Sequence, residues 1–330
     1  MKKIKAAVIG GGWFGQFHTD NLLQMEDVEL AAFATGNSAR LAELSAKQPN
    51  ARAYSDQKDL IAEERGLDAL IVCVPPDSRN GIEKTAAENG IHLFMEKPLG
   101  VDLEYVLGCE KAINESGIIC SVGYQTRYNL QADAIKAQVR DDEIGTVVAK
   151  WMGIMPETPW WRIKARSGGQ FIEQVTHMVD LLRYFFGDVK SVYSAGRTDF
   201  IRGVPNYDVE DASATVLTFE SGLLATVTCG CFVNPENAGS EIRIEMYGKR
   251  RHVFYEWDTL ARWENKLESS TRYFGNEFHF PALRTFIDAV KNRDSSKIRS
   301  TYSDAVKTFK TTWAADLSVK KGAAVELRSL

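Results

Sequence analysis

The sequence lacks any apolar run approaching the ~20 residues that a membrane-spanning helix needs. Its longest runs, such as Leu67–Pro76, are far shorter, so no membrane association is expected. It also lacks a charge excess of either sign. Lys+Arg 40 against Asp+Glu 44 leave −4 over 330 residues, and no global basic field exists to attract nucleic acid or anionic lipid. Cysteine is scarce: Cys73, Cys109, Cys120, Cys229 and Cys231 are odd in number and lie in apolar stretches. That excludes a disulfide-stapled miniprotein and fits reduced core thiols in a cytosol. Cys229 and Cys231 alternate along a strand-like run and read as strand residues, so no metal is expected. The start, Met1-Lys2-Lys3-Ile4-Lys5, is basic, but Ile4–Ile9 is too short for a signal-peptide core, and no secretory leader is expected. Internal repeats and low-complexity tracts are absent. What remains is an ordinary globular composition, 44% hydrophobic and 25% charged, at a length for about two domains.

The first part of the chain alternates apolar runs with helical patterns. Ile4–Ile9, Val28–Ala34, Asp68–Val74, Ile91–Met95 and Ile118–Val122 read as strands. Between them lie helical stretches near Phe17–Leu23, Ser38–Lys47, Ser78–Asn89 and Leu103–Glu115. Continuously apolar strands separated by helices imply a parallel sheet covered on both faces. After a helix near Leu130–Arg140, the runs become longer and alternate apolar with polar residues. Thr146–Met155, Val189–Ala195, Ala212–Phe219, Leu223–Phe232, Glu241–Tyr247 and His252–Trp257 predict a mostly antiparallel sheet with one face solvated or paired with a partner. Helices at about Pro281–Asn292 and Ser303–Lys321 close the chain. The expected fold class is therefore α/β: an N-terminal doubly wound parallel sheet, residues 1–123, followed by an α/β domain with a large open sheet, residues 124–330. The last helix is a candidate to pack back on the first domain.

Gly10-Gly11-Gly12-Trp13-Phe14-Gly15 matches G-x-G-x-x-G directly after a strand and at the opening of a helix. In that context Gly10 makes the tight turn, Gly12 lets the backbone approach a pyrophosphate, and Gly15 lets helix and strand pack closely. The helix N-terminus then offers free N–H groups to the phosphates. This is a Rossmann dinucleotide site, with Trp13 and Phe14 beside it and Val74, Pro75 and Pro76 at a neighbouring strand end as further cofactor-lining candidates. The end of the second strand selects the cofactor. Thr35-Gly36-Asn37-Ser38-Ala39-Arg40 carries no carboxylate to accept from a ribose 2′-hydroxyl. Thr35, Gly36, Asn37 and Arg40 suit a 2′-phosphate, which favours NADP over NAD. The bland alternative is that Ser38 caps a helix and Arg40 is a solvated surface residue.

Two more motifs follow: Met95-Glu96-Lys97-Pro98-Leu99 after a strand, and Gly168-Gly169-Gln170-Phe171-Ile172-Glu173-Gln174-Val175-Thr176-His177-Met178-Val179-Asp180 at the opening of a helix. With the glycine loop and the closing stretch Ile298–Ala305, they resemble the glucose–fructose oxidoreductase / inositol dehydrogenase (Gfo/Idh/MocA) family across the whole chain. The resemblance implies NAD(P)-dependent oxidation or reduction of a carbon of a sugar, cyclitol or related polyol. It further implies a homodimer or homotetramer built on the open sheet. Lys97 takes the place of the family's catalytic lysine and His177 that of its catalytic histidine. Two departures stand out: Glu173 where Asp is common four residues before the histidine, and Arg79 where a histidine often follows the strand-ending proline.

Oxidising a secondary alcohol needs a base for the hydroxyl proton and a fixed hydride path. A lysine ammonium is a poor base near neutrality unless its surroundings weaken its hold on the proton, whereas imidazole is suited to the task. Lys97 and His177 are therefore expected to share proton transfer, unranked. Glu173, four residues before His177, is expected on the same helix face, orienting the imidazole or binding a substrate hydroxyl. Gln125, Arg127 and Tyr128 follow a strand at the sheet's carboxyl edge and are candidates for the nicotinamide side and the substrate, with Glu96 beside the cofactor. Trp160-Trp161-Arg162 suits the faces and hydroxyls of a sugar ring, against the alternative of core tryptophans. His18, His92, His252 and His279 have no spacing that supports a role. Two other functions share these features: a glycosidase using bound nicotinamide transiently, and a non-catalytic dinucleotide-binding sensor.

Overall fold

A computed structural model of the chain describes residues 3–234, 239–257, 260–273 and 277–330; Met1 and Lys2 of the basic start lie outside them. Contacts divide the chain into two compact units. One runs to Gln125 and takes in His279–Val306; the other comprises Thr126–Phe278 and Lys307–Leu330. Among the described residues no helix is long and apolar enough to cross a membrane.

The first unit carries six parallel strands: β1 Ile4–Ile9, β2 Val28–Ala34, β3 Arg52–Tyr54, β4 Ala69–Val72, β5 His92–Met95 and β6 Cys120–Val122. Their order is β3-β2-β1-β4-β5-β6. The apolar runs form the centre because each side chain there is covered on one face or the other, and every residue of β4 is buried. β3 and the short helix Gln57–Glu63 are additions to the sequence-based expectation. β3 has only three residues, two of them exposed, too few to show a period. The helix Leu103–Ser116 starts where the Asp102 carboxylate accepts the Tyr105 N–H, and it ends at Gly117 with φ +68°, a backbone state that suits glycine.

The second unit carries β7 Ile144–Met152, β8 Val189–Arg197, β9 Ala212–Phe219, β10 Leu224–Gly230, β11 Glu241–Gly248, β12 His252–Glu256, β13 Leu260–Glu264, β14 Ser269–Tyr273 and β15 Val325–Glu326. Among the described residues they form one sheet ordered β14-β13-β12-β11-β7-β10-β9-β8-β15. The β7–β10 pair is parallel and the other pairs are antiparallel. One face packs on helices through Val147, Ala149, Leu217, Val227, Ile244, Val179 and Leu182. The other face leaves Tyr193, Val216, Leu224 and Tyr247 largely exposed. Tyr193 stands opposite Val216, and Leu224 and Tyr247 both flank Thr146, so these residues share that face. The basic run at Lys249–Arg251 is a hairpin turn between β11 and β12.

Candidate active site

In the first unit the three motif glycines differ in what requires them. Gly10 sits at φ +112°, and a Cβ there would meet the Cys73 carbonyl oxygen at 2.7 Å. A Cβ on Gly15 would lie 1.7 Å from the Gly10 carbonyl oxygen, so the helix Trp13–Leu23 can approach β1 only without a side chain. Gly12 has nothing within 4 Å of its Cβ position and caps that helix with no side-chain hydrogen bond. Its open side and the free first-turn N–H groups fit a pyrophosphate. Trp13 is 66% exposed, edge-on to Phe14 and stacked on Phe17.

At the end of β2, Thr35 Oγ1 and the Arg40 stem lie over Gly11, each within 3 Å of where a Cβ would be. Asn37, not Ser38, caps the next helix by accepting the Arg40 N–H at 3.0 Å. The Arg40 guanidinium pairs with Glu43, which also holds Lys47, and these two cations lower the Glu43 carboxyl, Lys47 first.

β5 delivers Glu96, Lys97 and Pro98, and the Lys97–Pro98 peptide is cis. Glu96 turns inward: its Oε1 lies 2.7 Å from His18 Nε2 and accepts from Gln125 Nε2 at 2.8 Å. Its Oε2 accepts the Lys97 N–H at 3.3 Å. Glu96 and Gln125, both expected as cofactor contacts, are thus bonded to each other inside the fold. The His18 ring meets Phe94 and Phe17 edge-on, and Phe17 in turn meets His279 edge-on. Burial pushes His279 down to about 4. Arg79, 1% exposed, aims its guanidinium at the same loop. It donates to the carbonyl oxygens of Glu96, Pro98 and Leu99, and Glu83 Oε1 lies 3.5 Å away.

In the second unit His177 completes a triangle of rings with two tryptophans that meet each other edge-on: it is parallel to Trp151 at 6.4 Å and edge-on to Trp257 at 5.6 Å between ring centres. The expectation of one continuous helix from Glu173 to His177 is corrected. Glu173 ends the short helix Gln170–Glu173, and His177 opens the helix Thr176–Phe186. Gln174 and Val175 form a turn between the two helices and keep right-handed helical dihedrals. Glu173 accepts the Trp161 indole N–H at 2.9 Å. Trp161 is fully enclosed in a cluster with Val209 and Cys231, against which Trp160 packs. The reading of Trp161 as a ring face for a sugar gives way to that of a core residue that holds Glu173. Arg162 closes the same short turn.

Arg127 has a partner that the sequence does not show. Its guanidinium makes a two-pronged bond to Asp180, both contacts at 2.6 Å, and Asp180 also accepts from Thr308 at 2.9 Å. Both ions are buried, and the Arg127 cation lies over the Tyr184 ring. This pair ties the start of the unit to the helix Thr176–Phe186. Tyr128, beside it, is buried too.

Two family models match: the oxidoreductase family with an NAD-binding Rossmann fold over residues 4–124, and the GFO/IDH/MocA C-terminal domain over 133–253. The chain belongs to the Gfo/Idh/MocA oxidoreductase family. This member is 25% identical to the myo-inositol 2-dehydrogenase of Thermotoga maritima, over 99% of each chain. It is 26% identical to the NAD(+)-dependent scyllo-inositol 2-dehydrogenase of Bacillus subtilis, over 98% of this chain and 96% of the relative. A levoglucosan dehydrogenase in complex with NADH shares the fold, with TM-score 0.86, 17% identity and 99% of each chain covered. The nicotinamide dinucleotide expected of the family fits the residues present, because the open Gly12 cradle is the contact its pyrophosphate needs. His18 is the member of the Lys97 surroundings that motif reading missed, and Arg79, noted there only as a departure, is another whose part the structure supplies. Their spacing, three residues past Gly15 and four past Pro75, is visible in the sequence, but their partners are not.

Proposed function

We propose that this family member is an NAD(P)-dependent dehydrogenase or reductase acting on a secondary alcohol or ketone of a sugar, cyclitol or related polyol. The observation that carries the reading is the first unit's arrangement. The glycine cradle after β1 and Lys97 after β5 lie on one parallel sheet, both at the carboxyl ends of strands, where such folds bind ligands. Bound nicotinamide would accept or return the hydride. Lys97 would hold or move the hydroxyl proton at its Nζ, and His177 would do so at an imidazole nitrogen. Glu173, anchored by Trp161, and Trp160 with Arg162 would contact substrate hydroxyls. The unit containing the parallel sheet would hold cofactor, and the other would hold substrate. Val74, Pro75 and Pro76 would border the cofactor on the strand beside Gly10.

NADP is the favoured cofactor, because Thr35, Asn37 and Arg40 end β2 without a carboxylate and a 2′-phosphate can replace Glu43 at the Arg40 guanidinium. A tenfold or greater preference for NAD, about 1.4 kcal/mol in dissociation free energy, would sink that choice. The exposed row of Tyr193, Val216, Leu224 and Tyr247 supports a homodimer or homotetramer built on the open sheet. Five free cysteines fit a reducing cytoplasm.

A panel of inositols, aldoses and keto-sugars with NAD+ and NADP+ tests the function. Net formation of reduced nicotinamide with at least one polyol is expected. Sugar release without accumulating reduced cofactor would mark a glycosidase, and tight cofactor binding with no turnover across the panel would mark a sensor.

A further inference from the structure

Arg79 has a setting that its distance from any motif does not explain. Its side chain is fully buried, and so is that of Glu83 one helical turn on. Nη1 reaches the Leu99 carbonyl oxygen at 2.5 Å as well as Glu83, while Nη2 reaches the carbonyl oxygens of Pro98 and Glu96. The grip therefore closes on both sides of Lys97 in sequence. Arg79 is itself fixed, since Gln57 Nε2 donates to its carbonyl oxygen and to that of Ser78. Glu83 is held by the Tyr105 hydroxyl at 2.7 Å, and that oxygen accepts the Gly81 N–H. Burial, with the Glu83 charge next, raises both the Tyr105 hydroxyl and the Cys109 thiol, the latter to about 11. Burying a cation this deeply is costly unless its donors are used; both Nη atoms of Arg79 are, while its Nε is buried without a partner. A planar fork of guanidinium donors can span three carbonyl oxygens, which a lysine point charge cannot.

We propose that Arg79 is a positioning residue: by clasping the Glu96, Pro98 and Leu99 carbonyl oxygens it fixes the backbone from which Lys97 projects. Removing the clasp leaves that loop held chiefly by the Glu96 carboxylate contacts. This deepens the reading of Lys97 as a proton-handling group and rests on it. Its test works without a known substrate.

The test is competitive acetylation of Lys97 in the full chain with acetic anhydride across pH, read by mass spectrometry against Lys150 as internal reference. NADPH and NADH binding report the integrity of the fold. Arg79→Lys keeps a charge opposite Glu83 but loses the fork, and by displacing the loop it should change Lys97 reactivity by about fivefold or more, equivalent to about 1 kcal/mol. Arg79→Met/Glu83→Gln removes both buried charges together and should do the same. Glu83→Gln alone keeps the carbonyl clasp and should leave Lys97 within about twofold of the parent. Cofactor affinity should stay within about threefold throughout.

Unchanged Lys97 reactivity in Arg79→Lys and in the double variant would overturn the proposal. So would an equal effect from Glu83→Gln, or loss of cofactor binding in both Arg79 variants, either of which would reduce Arg79 to a general stabiliser. Full turnover in Lys97→Met would remove the catalytic reading of Lys97, whereas the labelling result stands or falls by itself.

Discussion

The segment Glu96–Leu99 in the first unit and the segment Gly168–His177 in the second each present one proposed proton carrier, yet their surroundings share little. Around Lys97 the contacts are polar and buried: three carbonyl oxygens on Arg79, and a carboxylate shared by His18, Gln125 and the Lys97 N–H. Around His177 they include rings, the mutually packed Trp151 and Trp257, with Trp161 fixing Glu173. The side chains explain the difference. A lysine has a flexible four-carbon stem worth about 2 kcal/mol of rotamer entropy, so its position is best set by pinning the backbone beneath it. An imidazole is rigid and flat, and packing against aromatic faces suffices to orient it. Hydrogen-bonded charge surrounds the first loop, while the second sets rings beside His177 and an indole hydrogen bond on Glu173.

One feature of the second unit runs against that division, and its loss should cost most. Arg127 and Asp180 are a buried two-pronged ion pair, in a unit that also buries Arg183 and Asp211. Asp180→Asn leaves a buried guanidinium without its counter-charge and should cost about 3–5 kcal/mol of unfolding free energy. Urea unfolding reads this directly. A loss under about 1 kcal/mol would mean that ring packing alone supports the helix Thr176–Phe186.

The next largest effect is on turnover. Lys97→Met and His177→Ala should each lower kcat by roughly 10²-fold or more with whichever polyol the panel identifies. If one variant is near wild type and the other dead, proton transfer belongs to one unit alone and the comparison becomes one of catalyst against scaffold.

Both segments are legible in the amino-acid sequence, though what holds them is not. The glycine loop, Lys97 and His177 stand out because short-range spacing carries their meaning. The apolar runs of β1, β2, β4 and β5 do so because burial on both faces leaves few polar residues, Lys5, Glu29 and His92, all near strand starts. The elements that escape sequence reading are of another kind. β14 carries Ser269, Ser270, Thr271 and Arg272 and is almost wholly exposed, and β13 is only five residues long with Ala261 and Trp263 as its core side, so hydrophobicity marks neither. Arg127 reads as a ligand contact because its partner lies 53 residues away, and His18 reads as featureless because Glu96 lies 78 residues on. The break between Glu173 and His177 has no Gly or Pro to signal it. Long-range pairing gives an apparent site arginine a structural partner and makes an overlooked histidine part of the Lys97 surroundings.

Within the first unit, His279 is the ring-packed exception. It meets Phe17 edge-on at 5.0 Å between ring centres, and burial lowers it from 6.5 to about 4. A histidine depressed in the fold stays neutral there while the unfolded chain takes up a proton. Its stabilising effect is therefore complete above about pH 6.5 and is lost as pH falls toward 4, a change of about 2–3 kcal/mol. His279→Leu should flatten the stability profile across that window. An unchanged acid slope would assign the pH dependence to other groups.

The smallest effect concerns a charge at the surface of the polar unit. Arg40 spends its guanidinium on Glu43, and the pair is partly exposed, so Arg40→Ala should change stability by well under 1 kcal/mol. Ligand affinity should respond instead. A 2′-phosphate arriving at the end of β2 would take Glu43's place, and losing that contact should weaken NADPH about tenfold, or 1.4 kcal/mol. NADH has no such phosphate and should bind within about twofold of the parent. Equal weakening of both would place Arg40 on a part common to the two cofactors, which its stem lying over Gly11 allows. No change in either would leave Arg40 a solvated residue whose only partner of consequence is Glu43, and the β2 end would then distinguish the cofactors through Thr35 and Asn37 alone.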